Sequence, residues 1–198
     1  MYRFIETIRI CNGEVCNTAY HDQRLNDTRK HFWPGSKPLQ LADYIRPNQE
    51  AGIVKARVVY GKNGIEEVGY APYSLRRVQS LALIQSDTID YTYKSTAREA
   101  LNELFSLRGK CDDILIVKQG LLTDTSIANI ALLDADNHWY TPQHPLLKGT
   151  KRAALLDKGI LREKELRQED LSSFSTIRLF NAMIDWGELE FPVRNIIP

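Results

Sequence analysis

Two Asn-Gly pairs constrain the fold of this chain more than any other feature. Asn12-Gly13 and Asn63-Gly64 each separate runs of strand-forming residues. Asn-Gly is the strongest short signal for a two-residue hairpin turn, because both central positions need positive φ. The first pair predicts a strand over residues 2–10 that returns as a second over 15–19. The second predicts a hairpin of 53–60 with 66–73, and a further strand follows at 80–85. Between the hairpins, Leu25, Thr28, Phe32 and Trp33 recur at helical spacing within 20–33, and Pro34-Gly35 ends that helix. A second helix is expected over 39–45. This half reads as a meander of strands carrying helices, an α+β layer.

The chain turns polar and loses periodicity around residues 87–93, which predicts a linker and a lobe boundary near 87–94. Beyond it, 98–107 reads as helix and 113–118 as a buried strand. Gly120 marks a turn, 127–134 another strand, and 138–140 a short one. Residues 150–158 and 162–166 read as helices, and 176–180 as a strand. The division expected is a small N-terminal α+β lobe over 1–90 and a larger C-terminal lobe over 91–198.

Composition excludes several classes. Of 198 residues, 43% are hydrophobic and 26% charged, which suits a globular core. The 26 Lys+Arg nearly cancel the 25 Asp+Glu, so no net field draws the chain to nucleic acid or anionic lipid. The apolar runs are far shorter than a bilayer span. The opening residues lack the apolar centre of a secretory signal. Cys11, Cys16 and Cys111 are an odd, unclustered set, read as free or buried thiols. These features together predict a cytoplasmic protein. His21, His31, His138 and His144 have no zinc-ligand spacing, and phosphate loops of the usual glycine-rich kinds are absent.

Four local features can carry chemistry. Arg24, in His21-x-x-Arg24-Leu25, could clamp an anion with its planar fork, or simply decorate a solvated helix face. Lys94 could become a nucleophile or base if desolvated, with Arg98 one turn away should a helix begin there. On spacing alone it reads as a surface lysine. Asp124, in Gly120-x-x-x-Asp124-x-x-x-x-Asn129, could serve a buried cationic nitrogen, or cap a turn. Leu147-x-Gly149-Thr150-Lys151-Arg152 precedes a helix whose first N–H groups would bind an anion that Gly149 lets approach.

In that order and separation, these features resemble the fold-type IV (class IV) pyridoxal-phosphate aminotransferase family, which includes aminodeoxychorismate lyase. The opening Ile5-Glu6-Thr7-Ile8-Arg9 is similar to the family's Phe-Glu-Thr-x-Arg strand. The resemblance spans nearly the whole chain, although the usual start and some interlobe sequence are missing. It implies a two-lobed α+β fold and a pyridoxal 5′-phosphate cofactor. It makes Lys94 the Schiff-base lysine and Arg24 a phosphate ligand, with backbone donors at Thr150 and Lys151. It places Arg98 near the phenolic oxygen and Asp124 at the pyridine nitrogen, where most relatives carry the longer Glu. Asn129, Gly149 and Ala182 complete the cofactor-binding set it implies.

Two reactions share such machinery, a lyase and a transaminase. The Lys94-x-x-x-Arg98 spacing is similar to that of bacterial lyases, and Leu179-Phe180-Asn181-Ala182-Met183 resembles their Cys-Asn-Ala-Leu stretch. The resemblance therefore implies conversion of 4-amino-4-deoxychorismate to 4-aminobenzoate and pyruvate, a step of folate biosynthesis. The alternatives are a transaminase of branched-chain or D-amino acids with a 2-oxo acid acceptor, and a cofactor-binding relative without turnover. A homodimer is implied by resemblance, with Trp33, Trp139 and Trp186 as candidate anchors or core residues.

Overall fold

The computed structural model describes residues 2–47 and 52–198. The described residues of Met1–Leu75, with Tyr93–Ala97, make one compact unit; Arg76–Thr92 and Arg98–Pro198 make a second.

The first unit contains β1 (Phe4–Cys11), β2 (Glu14–Val15), α1 (Thr18–Phe32), β3 (Ile53–Gly61) and β4 (Gly64–Pro72). Its antiparallel sheet runs β2-β1-β3-β4. Asn12 and Gly13 adopt φ of 48° and 84°, the left-handed turn that the Asn-Gly pair predicts. The expected return strand over 15–19 is cut short, because Asn17 at φ 54° caps α1 and the chain is helical from Thr18. Of the helix expected over 39–45, only a 3-10 turn at Leu41–Asp43 forms. That segment is tied to α1 instead: Leu41 N–H donates to Asp22 Oδ1 at 2.7 Å, and Leu39 N–H to Asn26 Oδ1 at 2.8 Å. Residues of β1 alternate between buried and half-buried, so Phe4, Ile8 and Ile10 pack with Leu25 of α1 and Val54, Ala56, Val58 and Tyr60 of β3.

The second unit contains β5 (Leu81–Gln85), α2 (Glu99–Ser106), β6 (Asp113–Lys118), β7 (Leu121–Thr125), β8 (Asn129–Leu133), β9 (Trp139–Pro142), α3 (Thr150–Asp157), β10 (Leu161–Lys164), β11 (Thr176–Phe180), β12 (Glu190–Pro192) and β13 (Ile196–Ile197). One sheet runs β10-β9-β8-β11-β12 and the other β13-β5-β6-β7. The near-continuous apolar run of β6 follows from burial on both faces beside its parallel neighbour β5.

Three sequence expectations give way here. Residues 162–166, read as helix, lie mostly in β10, which pairs in parallel with β9; one buried Leu161 and outward charges suit an edge strand, and the pairing overrides helix propensity. The Asp124 segment, for which a capped turn is the plainer sequence reading, forms strand β7. Residues 87–93 are no simple linker, since Ile89 and Tyr91 are buried with Leu101, Ile114 and Ile116. A single cut between 90 and 91 therefore does not describe the contacts. Pairing of β5 with β6 carries 76–92 into the second unit, whereas hydrogen bonds to β1 carry 93–97 into the first.

Trp33, Trp139 and Trp186 are each half-buried, not core residues. Trp139 and Trp186 flank the Arg178 guanidinium at 4.3 and 4.7 Å. Among the described residues no disulfide joins Cys11, Cys16 and Cys111, which are half-buried. Among the described residues, no helix is long and apolar enough to cross a membrane.

Candidate active site

Alternation along β1 turns Glu6 inward among Phe4, Ile8 and Ile10, where it is fully buried. An ionised carboxylate there needs partners. Helical spacing on α1 supplies them. His21 Nδ1 lies 2.5 Å from Glu6 Oε2, and Arg24, three residues on, lays its fork on the same carboxylate, Nε to Oε1 at 2.9 Å and Nη2 to Oε2 at 2.5 Å. Burial pushes the Glu6 carboxyl up, but Arg24 and His21 more than offset it and hold it at about 2. Sequence reading saw Glu6 only as part of a strand motif. Its role needs a contact across 18 residues that no local pattern reveals.

Lys94 is held against the same strand. Its carbonyl accepts the N–H of Ile5 at 2.9 Å, Ser95 bridges to Phe4, and Thr96 N–H donates to Arg3 O at 3.0 Å. The Tyr93 ring packs on Phe32 and stacks on His31, both at 4.8 Å. Lys94 is half-buried and precedes the helix, which begins at Glu99. Lys94 and Arg98 are thus not neighbours on a helical turn. Within the first unit, Arg24 and Lys94 are both tied to β1, Arg24 through the Glu6 side chain and Lys94 through the Ile5 backbone.

The remaining residues belong to the second unit. Arg98 is the N-cap of α2; its guanidinium donates to Ser126 O at 2.7 Å and Tyr91 Oη at 3.1 Å. A tight turn, in which Thr125 N–H donates to Ala128 O at 2.9 Å, leads from β7 to β8 and sets Asn129 beside Asp124. Asp124 Oδ1 accepts from Asn129 Nδ2 and Oδ2 from the N–H of Leu147, each at 2.8 Å. The five-residue spacing seen in sequence is thereby a real contact. Burial raises the Asp124 carboxyl to about 6, against the opposing pull of the Leu147 N–H, the Asn129 amide and the Arg152 charge.

Gly149 caps α3 with φ −68° and ψ 144° and offers no side-chain cap. Thr150 is buried and Lys151 is ion-paired with Asp185. Arg152 is buried on Pro142 O at 2.8 Å and Glu163 Oε1 at 2.6 Å. Ala182 follows β11 in a bend built by Asn181, whose Oδ1 accepts from Met183 N–H at 2.7 Å and whose Nδ2 donates to Ile127 O at 3.0 Å. On the opposite face of β7 from Asp124, Thr123 lines a cavity of about 400 Å³ with Asp90, Lys118, His144 and Glu165; none of the expected site residues lines it.

These groups fit a phosphorylated pyridine. A buried carboxylate raised by desolvation gains from a cationic ring N–H, and the start of an eight-residue helix behind a glycine suits a phosphate.

The mixed α/β fold in which sheets dominate is that of a class of pyridoxal-phosphate-dependent enzymes. Residues 66–195 match the family model described as amino-transferase class IV, and the chain belongs to that family. An uncharacterized protein of Haemophilus influenzae is 34% identical over 188 residues, covering 92% of this chain and 98% of that protein. A crystal structure from Haemophilus somnus, provisionally named a 4-amino-4-deoxychorismate lyase, is 34% identical with a TM-score of 0.87, covering 92% of this chain and 97% of that one. A Schizosaccharomyces pombe protein, provisionally named an aminodeoxychorismate lyase, is 27% identical over 193 residues, covering 86% of this chain and 82% of that protein.

Proposed function

We propose that this protein is a pyridoxal-phosphate-dependent lyase that converts 4-amino-4-deoxychorismate to 4-aminobenzoate and pyruvate. The observation that carries the cofactor reading is the Asp124 carboxylate, buried and raised to about 6, whose hydrogen bonds from Asn129 and Leu147 come from neutral donors. Such a site is completed by a protonated ring nitrogen. The names of the relatives from Haemophilus somnus and Schizosaccharomyces pombe support the lyase over the transaminase.

Bound pyridoxal phosphate supplies an electron sink that acidifies the C–H beside the substrate's amino group. Arg24 and the N–H groups of Thr150 and Lys151 hold the phosphate, and Asp124 keeps the proton on the ring nitrogen. Lys94 would be the amine that holds the cofactor's carbonyl carbon at rest, and with substrate bound its free amine would take the proton from the carbon bearing the amino group. Loss of that proton and departure of the neighbouring enolpyruvyl oxygen make the ring aromatic, so no second substrate is needed. Arg98, fixed by Tyr91 and Ser126, is the candidate cation for the phenolic oxygen; Gly149 and Ala182 complete the cofactor set, and Asn129 supports Asp124. A homodimer is part of this reading, to be checked by sedimentation.

Purified protein with pyridoxal phosphate should release 4-aminobenzoate and pyruvate from aminodeoxychorismate without any 2-oxo acid. An obligatory 2-oxo acid acceptor would replace the lyase by a transaminase.

A further inference from the structure

Resting on the cofactor reading, Asn129 has a different task from contacting the cofactor. It is 5% exposed, and both hydrogens of its amide have acceptors. Nδ2 donates to Asp124 Oδ1 at 2.8 Å and to the carbonyl of Leu147 at 2.9 Å. Leu147 in turn donates its N–H to Asp124 Oδ2 at 2.8 Å, which closes a ring of three hydrogen bonds. The orientation of the amide is fixed by these partners, a carboxylate and a carbonyl, which accept and cannot donate. Its Oδ1 meanwhile lies 2.0 Å from where a Cβ on residue 149 would stand.

We propose that Asn129 is a positioning residue that locks the carboxylate of Asp124 and the glycine-led start of α3 into one rigid body, so that a single cofactor can meet both. The pyridine ring holds its nitrogen and its phosphate a fixed distance apart. The groups meant for them come from β7 and from the α3 entry, elements remote in sequence. Small errors in such a span weaken binding steeply. Asparagine suits the position because it offers two donors to two acceptors. Leucine, of similar size, would leave the Leu147 carbonyl and Asp124 without those donors, and aspartate would set carboxylate against carboxylate. Glycine at 149 is required for the same reason. Its φ of −68° is open to any residue, so the demand is for space beside the Asn129 amide and not for backbone freedom.

The test uses the purified full chain stripped of cofactor, with pyridoxal phosphate and pyridoxal as two probes followed by absorbance. Pyridoxal has the ring nitrogen but no phosphate. In Asn129→Leu both probes should bind at least fivefold more weakly, and pyridoxal phosphate at least tenfold. Gly149→Ala keeps every hydrogen-bonding side chain, yet its methyl displaces the Asn129 amide; it too should weaken pyridoxal at least fivefold. In an Asp124→Ala background, Asn129→Leu should leave pyridoxal affinity unchanged within about twofold, whereas a general loss of packing would persist there. Pyridoxal affinity equal to wild type in Gly149→Ala, with only the phosphorylated probe weakened, would mean the methyl merely blocks phosphate, and would overturn the proposal. Additive losses in the Asp124→Ala background would overturn it as well. Wild-type protein that takes up neither probe would refute the cofactor reading on which the proposal stands.

Discussion

The guanidinium of Arg24 rests in a two-pronged hydrogen bond on the fully buried carboxylate of Glu6, with His21 on one of the same oxygens. Removing either charge strands the other, which in buried pairs destabilises by about 3–5 kcal/mol. Glu6→Gln should therefore lower unfolding free energy by about 3 kcal/mol at pH 7 and weaken pyridoxal phosphate binding, because Arg24 loses the anvil that aims it. The pH dependence has a definite sign. Held at about 2, below its ordinary 4.5, Glu6 contributes stability that is present above pH 4.5 and lost as pH falls toward 2. Urea unfolding of the cofactor-free protein should show a steeper loss over this range in wild type than in Glu6→Gln, which keeps only the contribution of the other carboxylates. Parallel profiles would remove Glu6 from this role.

Asp124 should behave in the opposite sense. Its carboxyl is raised to about 6 from 3.8, so the cofactor-free protein loses stability as pH rises between those values. A shift of that size corresponds to about 2–3 kcal/mol. The stability difference between wild type and Asp124→Ala should therefore move against wild type by about that amount from pH 4 to pH 7. Arg152, buried nearby, contributes the one opposing charge identified on this carboxyl. Unfolding curves at the two pH values measure the change, and a constant difference would show that Asp124 is not held in a desolvated state.

Lys151 separates side-chain from backbone recognition. Its ammonium is ion-paired with Asp185, so the phosphate is assigned to its N–H at the start of α3. Lys151→Ala should weaken pyridoxal phosphate by less than about threefold, as expected for a partly exposed pair of small net value. Arg24→Ala should weaken it by about 2–4 kcal/mol. Equal losses in the two variants, read by equilibrium titration, would contradict this division.

Much of this arrangement is legible in the sequence, for identifiable reasons. The Asn12-Gly13 turn and strict alternation fix β1, because both depend on local backbone preference, whereas Asn63-Gly64 marks the β3–β4 hairpin with only Gly64 at positive φ. The spacing of Asp124 and Asn129 survives as a contact because a tight turn joins them. What escapes local reading depends on distant partners. Residues 121–125, which follow Gly120 and run into Asp124-Thr125-Ser126, show no clear strand pattern, yet pairing with β6 makes them a strand. The charged run 162–164 reads as helix, yet β9 recruits it. Glu6, set in sequence between Ile5 and Thr7, becomes the anchor of Arg24 only when α1 folds across β1.

Borohydride reduction of the protein loaded with pyridoxal phosphate, followed by peptide mass spectrometry, reads the central assignment directly, since reduction fixes the cofactor's carbonyl carbon on the amine that holds it. A pyridoxyl group on Lys94, absent from Lys94→Ala protein that keeps wild-type circular dichroism, is the predicted result. An unmodified Lys94, or label scattered over other lysines, would contradict it.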